Sequence, residues 1–402
     1  MSDDSTDPLI TTRAELDELI THLRSAGRFA FDTEFVSEET YEPVLCLAQV
    51  ATRDRLSAID PLARGLDLEP LWELVNDPDV EVVMHAAGED LRICRIKTGR
   101  LPARVFDTQI AAGLAGFSYP LSLVNLVGQT VGVPLAGSET RTDWRRRPLS
   151  DAQVRYALDD VRHLLEVADF LTDRLKQWGR SAWIEAEFAG FIEQVRQRAE
   201  DDRWRRLPGL NNLNRRSLEV ARRLSRWRQE EARDANRPLR QVMRDDLLVA
   251  IAKRQPRSRK DLEALRDFNR PALLGRTREI LDVIAEALAV PEDQLPRLPD
   301  RPDDGPGLQM TVSLLSATLA RCCAEHRAAV GLVGTVSDLK DVIRWHLEGR
   351  PQNDRPPSLI EGWRGEVCGR SLLDVLSGRL ALRLTDPAAD VPVTLEPLHG
   401  DG

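Results

Sequence analysis

The sequence of 402 residues contains little cysteine and no long apolar run. Its five cysteines are scattered and form no Cys-x-x-Cys pair, which argues against a disulfide framework or a zinc knuckle. No stretch approaches the roughly 18 consecutive apolar residues of a membrane span. The acidic beginning MSDDSTDPLI lacks a basic and then apolar signal pattern. These features predict a protein of the reducing cytoplasm without a membrane partner.

The net charge of −9 is unevenly distributed along the chain. Residues 201–290 contain 22 lysines and arginines against 14 acidic residues, a net charge of +8, so the remainder carries −17. A basic central segment in an otherwise acidic chain indicates a module that binds polyanions, joined to a part rich in carboxylates.

The chain length predicts two or three domains. Short apolar runs in the first part, among them RFAFDTEF, VLCLAQVA and RLSAID, predict consecutive strands of a meander, and VEVVMHAA predicts a further strand. Two capping boxes, at Thr12 and Ser150, predict helix starts, and the second helix is expected to run unbroken over residues 148–179. The first part is therefore expected to be an α/β domain.

The sequence pattern of the second half of the chain predicts helices in place of strands. We expect an α/β domain over residues 1–200 and an all-α domain over 205–292. A linker rich in proline and aspartate is expected at 293–307, a second all-α domain at 308–385 and a flexible tail at 386–402.

Acidic residues lie at the end of one predicted strand, shortly after a second strand and on a later helix. Asp32 and Glu34 end the run RFAFDTEF, and alternate residues of a strand point to the same face. Asp90 follows VEVVMHAA at the junction to a helix. Tyr156 and Asp160 are four residues apart, on one helix face. Because an unpaired buried carboxylate is costly, such residues are usually paired or bind a cation.

Four acids from three segments can lie together only if their repulsion is offset. Mg²⁺ binds a few carboxylates together with substrate phosphate. Two such ions, about 3.5–4 Å apart, stabilise the attacking and leaving oxygens in phosphodiester hydrolysis. Each motif alone has a simpler explanation, since an aspartate at a helix start is more often a cap. The three together, in this order, favour a metal site.

The segments FDTEF, HAAGEDL and YALDDV resemble the three exonuclease motifs of the DEDD superfamily, in the subclass with tyrosine in the third motif. Together with VFDTQIAAGLAG and SETRTDWRRRPLS they are similar to ribonuclease D, and the resemblance runs from about residue 10 to residue 384. The helical remainder resembles the two HRDC (helicase and RNase D C-terminal) modules of that family. This resemblance implies an α/β exonuclease domain, with a ribonuclease H-like mixed sheet flanked by helices, followed by two all-α helical HRDC domains.

The resemblance also implies a 3′→5′ exoribonuclease that uses two divalent metal ions, Mg²⁺ or Mn²⁺, and releases nucleoside 5′-monophosphates. In this scheme Asp32 contacts both ions, Glu34 and Asp160 complete the first site, and Asp90 holds the second ion. Tyr156 orients the attacking water through its hydroxyl group.

Neighbouring polar residues are weaker candidates. Asp159 is rotated about 100° around the helix from Asp160, so we expect it outside the metal site. His85 stands at a strand end and fits a core or supporting role better than metal ligation, because hard cations favour carboxylates. Asp107 is expected to cap the following helix. His85 and Gln109 are retained as weak candidates for contact with nucleic acid.

Two basic segments are further candidates for nucleic-acid binding. RTDWRRRP combines an aromatic residue with arginines, and its candidates are Arg141, Trp144 and Arg145. KRQPRSRK is the densest basic cluster, and its candidates are Lys253, Arg254, Arg257, Arg259 and Lys260. A solvated run of charge explains either pattern about as well.

We therefore expect a cytoplasmic, monomeric exoribonuclease that trims the 3′ ends of structured RNA, with tRNA precursors as the leading substrate and no small-molecule cofactor. One alternative is a DNA exonuclease of the same superfamily, because the metal chemistry does not distinguish RNA from DNA. The other is a non-enzymatic RNA-binding protein, since HRDC modules also occur in helicases. The complete set of motif residues and the lack of a GxxxxGK[ST] phosphate loop favour the enzyme.

Overall fold

A mixed five-stranded sheet forms the centre of the first part of the chain. The computed structural model describes residues 9–135, 142–197, 204–298, 306–351 and 355–398. The strands are β1 (Arg28–Val36), β2 (Val44–Ala51), β3 (Leu56–Ile59), β4 (Glu81–Met84) and β5 (Val105–Asp107). Their order is β3-β2-β1-β4-β5, with β1 to β3 antiparallel and β4 and β5 parallel to β1. The predicted mixed sheet and its meander are confirmed.

Helices cover both faces of this sheet. They are α1 (Arg13–Ala26), α2 (Glu69–Val75), α3 (Gly88–Thr98), α4 (Thr108–Leu114), α5 (Leu123–Thr130), α6 (Asp151–Arg162), α7 (Leu164–Gln177) and α8 (Ser181–Gln197). The capping boxes at Thr12 and Ser150 are present. The unbroken helix expected over residues 148–179 is wrong, because a turn at His163 separates α6 from α7. The break lets α6 pack on β1 to β3 while α7 packs against α4.

The alternation of side chains along the strands divides the core into two layers. Phe29 and Phe31 of β1 are buried on one face, in the layer that includes α1, α2 and α3. Ala30 of the same strand and Val83 of β4 are buried on the other face, in the layer that includes α4 and α7. Leu158 of α6 packs onto the meander on this second face. Even-numbered residues of β1 therefore point toward α6.

Residues 204–298 form a first helical module with its own core. Its helices are α9 (Arg215–Asp234), α10 (Leu239–Val242), α11 (Asp245–Arg254), α12 (Arg259–Glu263), α13 (Pro271–Leu274) and α14 (Thr277–Ala289). The long helix α9 packs against α11 and α14. The predicted linker begins inside this module, because Leu295 is buried in its core; residues 299–305 lie outside the described ranges.

Residues 306–398 form a second helical module that ends in a β-hairpin. Its elements are α15 (Pro306–His326), α16 (Val330–Val333), α17 (Val336–Leu347), α18 (Gly362–Arg364), a π-helical turn (Gly365–Gly369), α19 (Arg370–Leu376), β6 (Leu380–Leu384) and β7 (Val393–Pro397). The flexible tail expected over residues 386–402 is wrong where β7 pairs with β6. Leu382 and Leu395 of the two strands pack against the core, which explains why this segment is ordered.

The second module shares its core with the α/β domain. The guanidinium of Arg180 donates to the carbonyl oxygen of Leu114 at 2.5 Å and to that of His326 in the second module. Arg364 of the second module forms two hydrogen bonds to the Glu187 carboxylate, at 2.7 and 2.9 Å. The α/β domain and the second module are therefore one packed unit.

Along the described ranges, no helix combines the length and the apolar character that crossing a membrane requires.

The five cysteines are buried as free thiols. Burial raises the pKa of Cys94 and raises that of Cys46 to about 11, so these thiols remain protonated and unreactive at neutral pH.

Candidate active site

Asp32 and Glu34 project from β1 on the sheet face that α6 covers. Strand β4 pairs with β1 only from Arg28 to Ala30, so the second half of β1 extends beyond it. The β1–β2 register shifts directly after Glu34. Both carboxylates are half-buried at this end of the sheet. The strand end therefore presents two acids to a partly enclosed space.

Helix α6 adds a third carboxylate to this space. Asp160 lies one turn after Tyr156, and the Tyr156 hydroxyl forms a hydrogen bond with the Asp160 carboxylate. Asp32, Glu34 and Asp160 each offer an oxygen atom, and these three oxygens lie within 4.8 Å of one another. Asp159 instead pairs with an arginine one turn along the helix, at 2.9 Å.

Asp90 lies beside this group, at the start of α3. Its side chain is buried, and the hydroxyl of Thr33 donates to its Oδ1 at 2.5 Å. The charge of Asp90 raises the pKa of both Asp32 and Glu34, which places it near them although it is outside the group of three. The fold thus gathers all four predicted acids in one place, and the role of Thr33 was not foreseen from the sequence.

Asp107 holds the turn that leads into α3. Its carboxylate accepts hydrogen bonds from two N–H groups of its own helix α4, at 2.8 and 3.3 Å, so the predicted cap is confirmed. The same carboxylate accepts from the N–H groups of Ala86 and Ala87, at 3.2 and 2.8 Å. Ala86 has φ of 56°, a backbone conformation that needs such support. Asp107 therefore also fixes the start of the helix that carries Asp90.

Mutual repulsion and burial keep protons on this cluster. Burial is the larger cause, and it raises the pKa of Glu34 to about 8, that of Asp90 to about 7 and that of Asp160 to about 6. Burial and the neighbouring carboxylates also raise the pKa of Asp32. The pKa of Tyr156 rises for the same two reasons, so its hydroxyl stays protonated at neutral pH.

The chemistry of the donors fits a hard divalent cation. All the grouped ligand atoms are carboxylate oxygens, which Mg²⁺ and Mn²⁺ prefer. The raised pKa values show that the cluster carries more negative charge than its surroundings stabilise, and a divalent cation offsets that charge. The cluster therefore supports dependence on a divalent metal.

A groove of about 640 Å³ adjoins Glu34 and Tyr156. Its other walls are the end of β1 with the following loop and the segment 142–145. Arg145 stands on this rim, where it pairs with Glu39 and with Asp143. Arg145 is therefore close to the site but already held by two carboxylates.

Trp144 is a core residue, contrary to the prediction of a base contact. Its side chain is 6% exposed and packs with Leu158 in the layer beneath α6. Its ring centroid lies 6.2 Å from that of Tyr156. Although Trp144 lines the groove, an indole this deeply buried offers little surface on which a base could stack. Arg141, the third candidate of this segment, lies outside the described residues.

His85 and Gln109 bind the same backbone carbonyl. His85 Nε2 lies 3.0 Å from the carbonyl oxygen of Leu121, and its Nδ1 lies 2.9 Å from the Thr108 hydroxyl. Gln109 Nε2 donates to the Leu121 oxygen at 3.0 Å. Burial lowers the pKa of His85, which favours the neutral ring. These bonds fit the supporting role weighed for His85 and occupy the groups that a nucleic acid would contact.

The basic cluster of the first module lies on the surface. All five of its predicted members are exposed, at the end of α11, in the turn that follows and at the start of α12: Lys253, Arg254, Arg257, Arg259 and Lys260. Arg259 pairs with Glu263 at 2.6 Å. The cluster therefore offers positive charge to solvent, as a phosphate-binding surface requires.

The first module touches the loop that follows β1. The side-chain oxygen of Asn236 accepts a hydrogen bond from the N–H of Tyr41 at 3.3 Å. Arg240 donates to the carbonyl oxygen of Glu38 at 3.4 Å. The module is thus in contact with the same loop that borders the groove beside Glu34.

A mixed sheet with acids on its first strand, on the helix after β4 and on a later tyrosine-bearing helix defines the class of metal-dependent 3′→5′ exonucleases. Residues 8–176 match a family model described as 3′-5′ exonuclease, and residues 217–284 match the HRDC domain. The second match covers the core of the first helical module, so an exonuclease domain is followed by an HRDC region.

The chain belongs to the ribonuclease D family. It is 39% identical to ribonuclease D of Gluconacetobacter diazotrophicus over 379 residues, which cover 93% of this chain and 94% of that protein. It is 37% identical to ribonuclease D of Granulibacter bethesdensis, over 93% of each chain. The crystal structure of Escherichia coli RNase D matches with a TM-score of 0.79 and 30% identity, over 92% of this chain and 98% of that one. The protein is a 3′→5′ exoribonuclease, as predicted.

Proposed function

We propose that this exoribonuclease hydrolyses the terminal phosphodiester of RNA with two divalent ions, Mg²⁺ or Mn²⁺, and releases nucleoside 5′-monophosphates. The three oxygens within 4.8 Å of one another, from Asp32, Glu34 and Asp160, are the observation that carries the proposal. Bound cations supply positive charge to the attacking and leaving oxygens and make the attacking water more acidic.

The residues divide the work as follows. Asp32 would bind both ions, and Glu34 and Asp160 would complete the first site. Asp90 would hold the second ion, with its carboxylate oriented by the Thr33 hydroxyl. Tyr156, one turn before Asp160 on α6, supports assignment to the tyrosine subclass.

The Tyr156 hydroxyl orients the water. Because its pKa is raised, the hydroxyl remains protonated and does not act as the base at neutral pH. Because the hydroxyl donates to the Asp160 carboxylate, its oxygen can still accept a hydrogen bond from the water. A water held by this oxygen stands next to the carboxylate cluster, on the side that the groove leaves open.

The substrate we propose is RNA with a folded body and a short single-stranded 3′ end, with tRNA precursors as the leading case. The E. coli relative is described as an exoribonuclease involved in structured RNA processing. The exposed basic cluster of the first module supports binding of the RNA body. The groove beside Glu34 and Tyr156 is suited to the terminal nucleotides. Arg145 on the rim is a weaker candidate for a contact there. His85 and Gln109 are weaker candidates still, because both bind the Leu121 carbonyl oxygen.

The remaining assignments are also proposals. The exonuclease domain covers residues 1–200. The first HRDC domain begins at residue 205 and extends past the predicted boundary at 292, because Leu295 is buried in its core. The second module, at 308–385, is a second HRDC-like domain that braces the exonuclease domain. The enzyme acts as a monomer in the cytoplasm and needs no cofactor besides its metal ions.

Digestion of a precursor tRNA labelled at its 3′ end tests the proposed chemistry. With Mg²⁺ or Mn²⁺ the first labelled product is a 5′-mononucleotide, and excess chelator abolishes its release. Asp32→Ala should remove activity while RNA binding remains, whereas Asp159→Ala, which alters the neighbour of Asp160, should remain active. Release of labelled oligonucleotides, or activity in chelator, contradicts the proposal. A DNA with the same 3′ tail reports the preference for RNA.

A further inference from the structure

Gln49 of β2 lies directly opposite Asp32 in the antiparallel ladder between β1 and β2. Opposed residues of a ladder point to the same face, with Cβ atoms about 4.5–5.5 Å apart. The Gln49 side chain is therefore on the face of the carboxylate cluster, under α6. It is completely buried, at 0% exposure. Within the described part of the chain, neither its Nε2 nor its Oε1 has a hydrogen-bond partner.

The surroundings of Gln49 do not explain a polar side chain. The next residues on the same face of β2 are Leu47 and Ala51, and Ala58 lies opposite on β3. A buried amide without partners costs about 1–3 kcal/mol relative to a satisfied one. An apolar side chain of similar size would fill this position at no such cost. The amide is explained if the functioning protein gives it a partner.

The carboxylate of Asp32 is the polar group that the strand register brings next to Gln49. A carboxylate has about four sites that accept hydrogen bonds or cations. Groups that donate a hydrogen bond to a metal-ligating carboxylate fix its orientation. Mutating such a group typically lowers metal affinity or activity 10- to 100-fold. A glutamine amide is suited to this role, because it adds no charge to a cluster that already carries excess negative charge.

We propose that Gln49 is a positioning residue of the metal site, whose side-chain N–H group donates to the Asp32 carboxylate when the cation is bound. The inference rests on the proposed role of Asp32 as a metal ligand. Gln49 itself contacts neither substrate nor reacting atoms. It fixes which oxygen of Asp32 faces the ions, and the rest of the amide remains within the core.

Calorimetric titration of the full-length protein with Mn²⁺ alone tests the inference without relying on turnover. In Gln49→Met, which keeps the length of the side chain, we expect the Kd for Mn²⁺ to rise about 10- to 100-fold. The metal-free melting temperature should stay equal or rise, because an unpaired buried amide has been removed. Gln49→Leu provides a second variant of different shape. An unchanged Kd for Mn²⁺ in a folded variant overturns the inference.

Two further variants separate the possible failures. Ser57→Ala removes a hydroxyl that is also 0% exposed and has no partner among the described residues. Ser57 pairs with Val50, so it lies on the opposite face, and its variant should bind Mn²⁺ as the wild type does. Asp32→Ala should lose binding. If Asp32→Ala binds normally, the proposed metal site fails; if it loses binding while Gln49→Met does not, only the role of Gln49 fails.

Discussion

The carboxylate of Asp107 accepts a hydrogen bond from the backbone N–H of Ala87 at 2.8 Å, across two parallel strands of the sheet. It also accepts from the N–H of Ala86 and from two N–H groups of its own helix. One buried side chain thus caps α4 and fixes the start of α3. Because α3 carries Asp90, the position of this acid depends on a residue 17 positions further along the chain.

Replacing Asp107 by alanine should lower both stability and activity. The change leaves four buried or partly buried N–H groups without their acceptor, and we expect the free energy of unfolding to fall by about 2–4 kcal/mol. Urea denaturation measures this loss, and digestion of a single-stranded RNA measures the displacement of Asp90. The control is Asp67→Ala, which removes an exposed carboxylate that accepts from the N–H of Glu69 at 3.0 Å and should cost about 1 kcal/mol or less. Equal losses in the two variants would contradict the bridging role.

Replacing Tyr156 by phenylalanine should slow hydrolysis with little effect on metal binding. The ring and its packing against Trp144 remain, and only the hydroxyl that we propose orients the water is lost. A misplaced reacting group costs on the order of 100-fold, so kcat should fall by about that factor. Single-turnover kinetics with saturating RNA measure the chemical step. A normal single-turnover rate would exclude this role, and a large loss of Mn²⁺ affinity would point to a role in holding Asp160.

The stability of the metal-free enzyme should fall as the pH rises. The pKa of Asp32 is raised, and those of Asp160, Asp90 and Glu34 are raised to about 6, 7 and 8. The folded state therefore binds protons more tightly than the unfolded state. The resulting contribution to the free energy of unfolding is fully present below the ordinary carboxyl pKa near 4. It is lost as the pH rises through about 6 to 8.

Melting temperatures in chelator and in Mn²⁺ measure this effect. Cations bind the deprotonated carboxylates, so the rise in melting temperature that Mn²⁺ produces should grow from about pH 5.5 to about pH 8.5. Glu34→Gln removes a carboxyl group whose pKa is raised to about 8 and should flatten the decline in chelator. A metal-free enzyme whose stability rises steadily over this range contradicts the assignment.

Removing the basic cluster of the first module should weaken the binding of folded RNA without slowing the chemistry. In a variant with Lys253, Arg254 and Arg257 changed to glutamine, we expect KM for a precursor tRNA to rise and kcat on a short single strand to be unchanged. If each side chain contacts one phosphate, the slope of log K against log salt should fall by about 0.7–0.9 per residue. Filter binding over a salt series measures the slope. An unchanged slope would show that RNA binds another surface.

The sequence predicts most of the site because its acids follow the periods of their elements. Asp32 and Glu34 share a face through the two-residue period of a strand, and Tyr156 and Asp160 through the turn of a helix. Gln49 has no such pattern, because its place opposite Asp32 depends on the register between two strands. The second role of Asp107 likewise joins segments that only the folded sheet brings together.

The predictions for Trp144 and for the segment after Leu384 fail because both depend on contacts that only the folded chain makes. Trp144 stands among arginines in the sequence, which suggests a surface contact, but tertiary packing buries its ring beneath α6. The segment after Leu384 is rich in proline and aspartate, and its hairpin depends on the pairing of Leu382 with Leu395. Burial and pairing of this kind follow from contacts between distant segments, which local composition does not encode.

The bond between Arg364 and Glu187 should be a main tie between the second module and the exonuclease domain. Glu187 also accepts from the indole N–H of Trp363 at 3.1 Å, and both charged side chains are less than a quarter exposed. Arg364→Met leaves the largely buried Glu187 carboxylate without its cationic partner. We expect a loss of about 3 kcal/mol in the free energy of unfolding. Urea denaturation followed by tryptophan fluorescence suits this test, because Trp183 and Trp363 stack at the contact with centroids 5.5 Å apart. The control is Arg383→Met, whose exposed pair should contribute under about 1 kcal/mol. If both variants unfold like the wild type, the ion pair is dispensable, and the shared core and the Arg180 bond join the two parts.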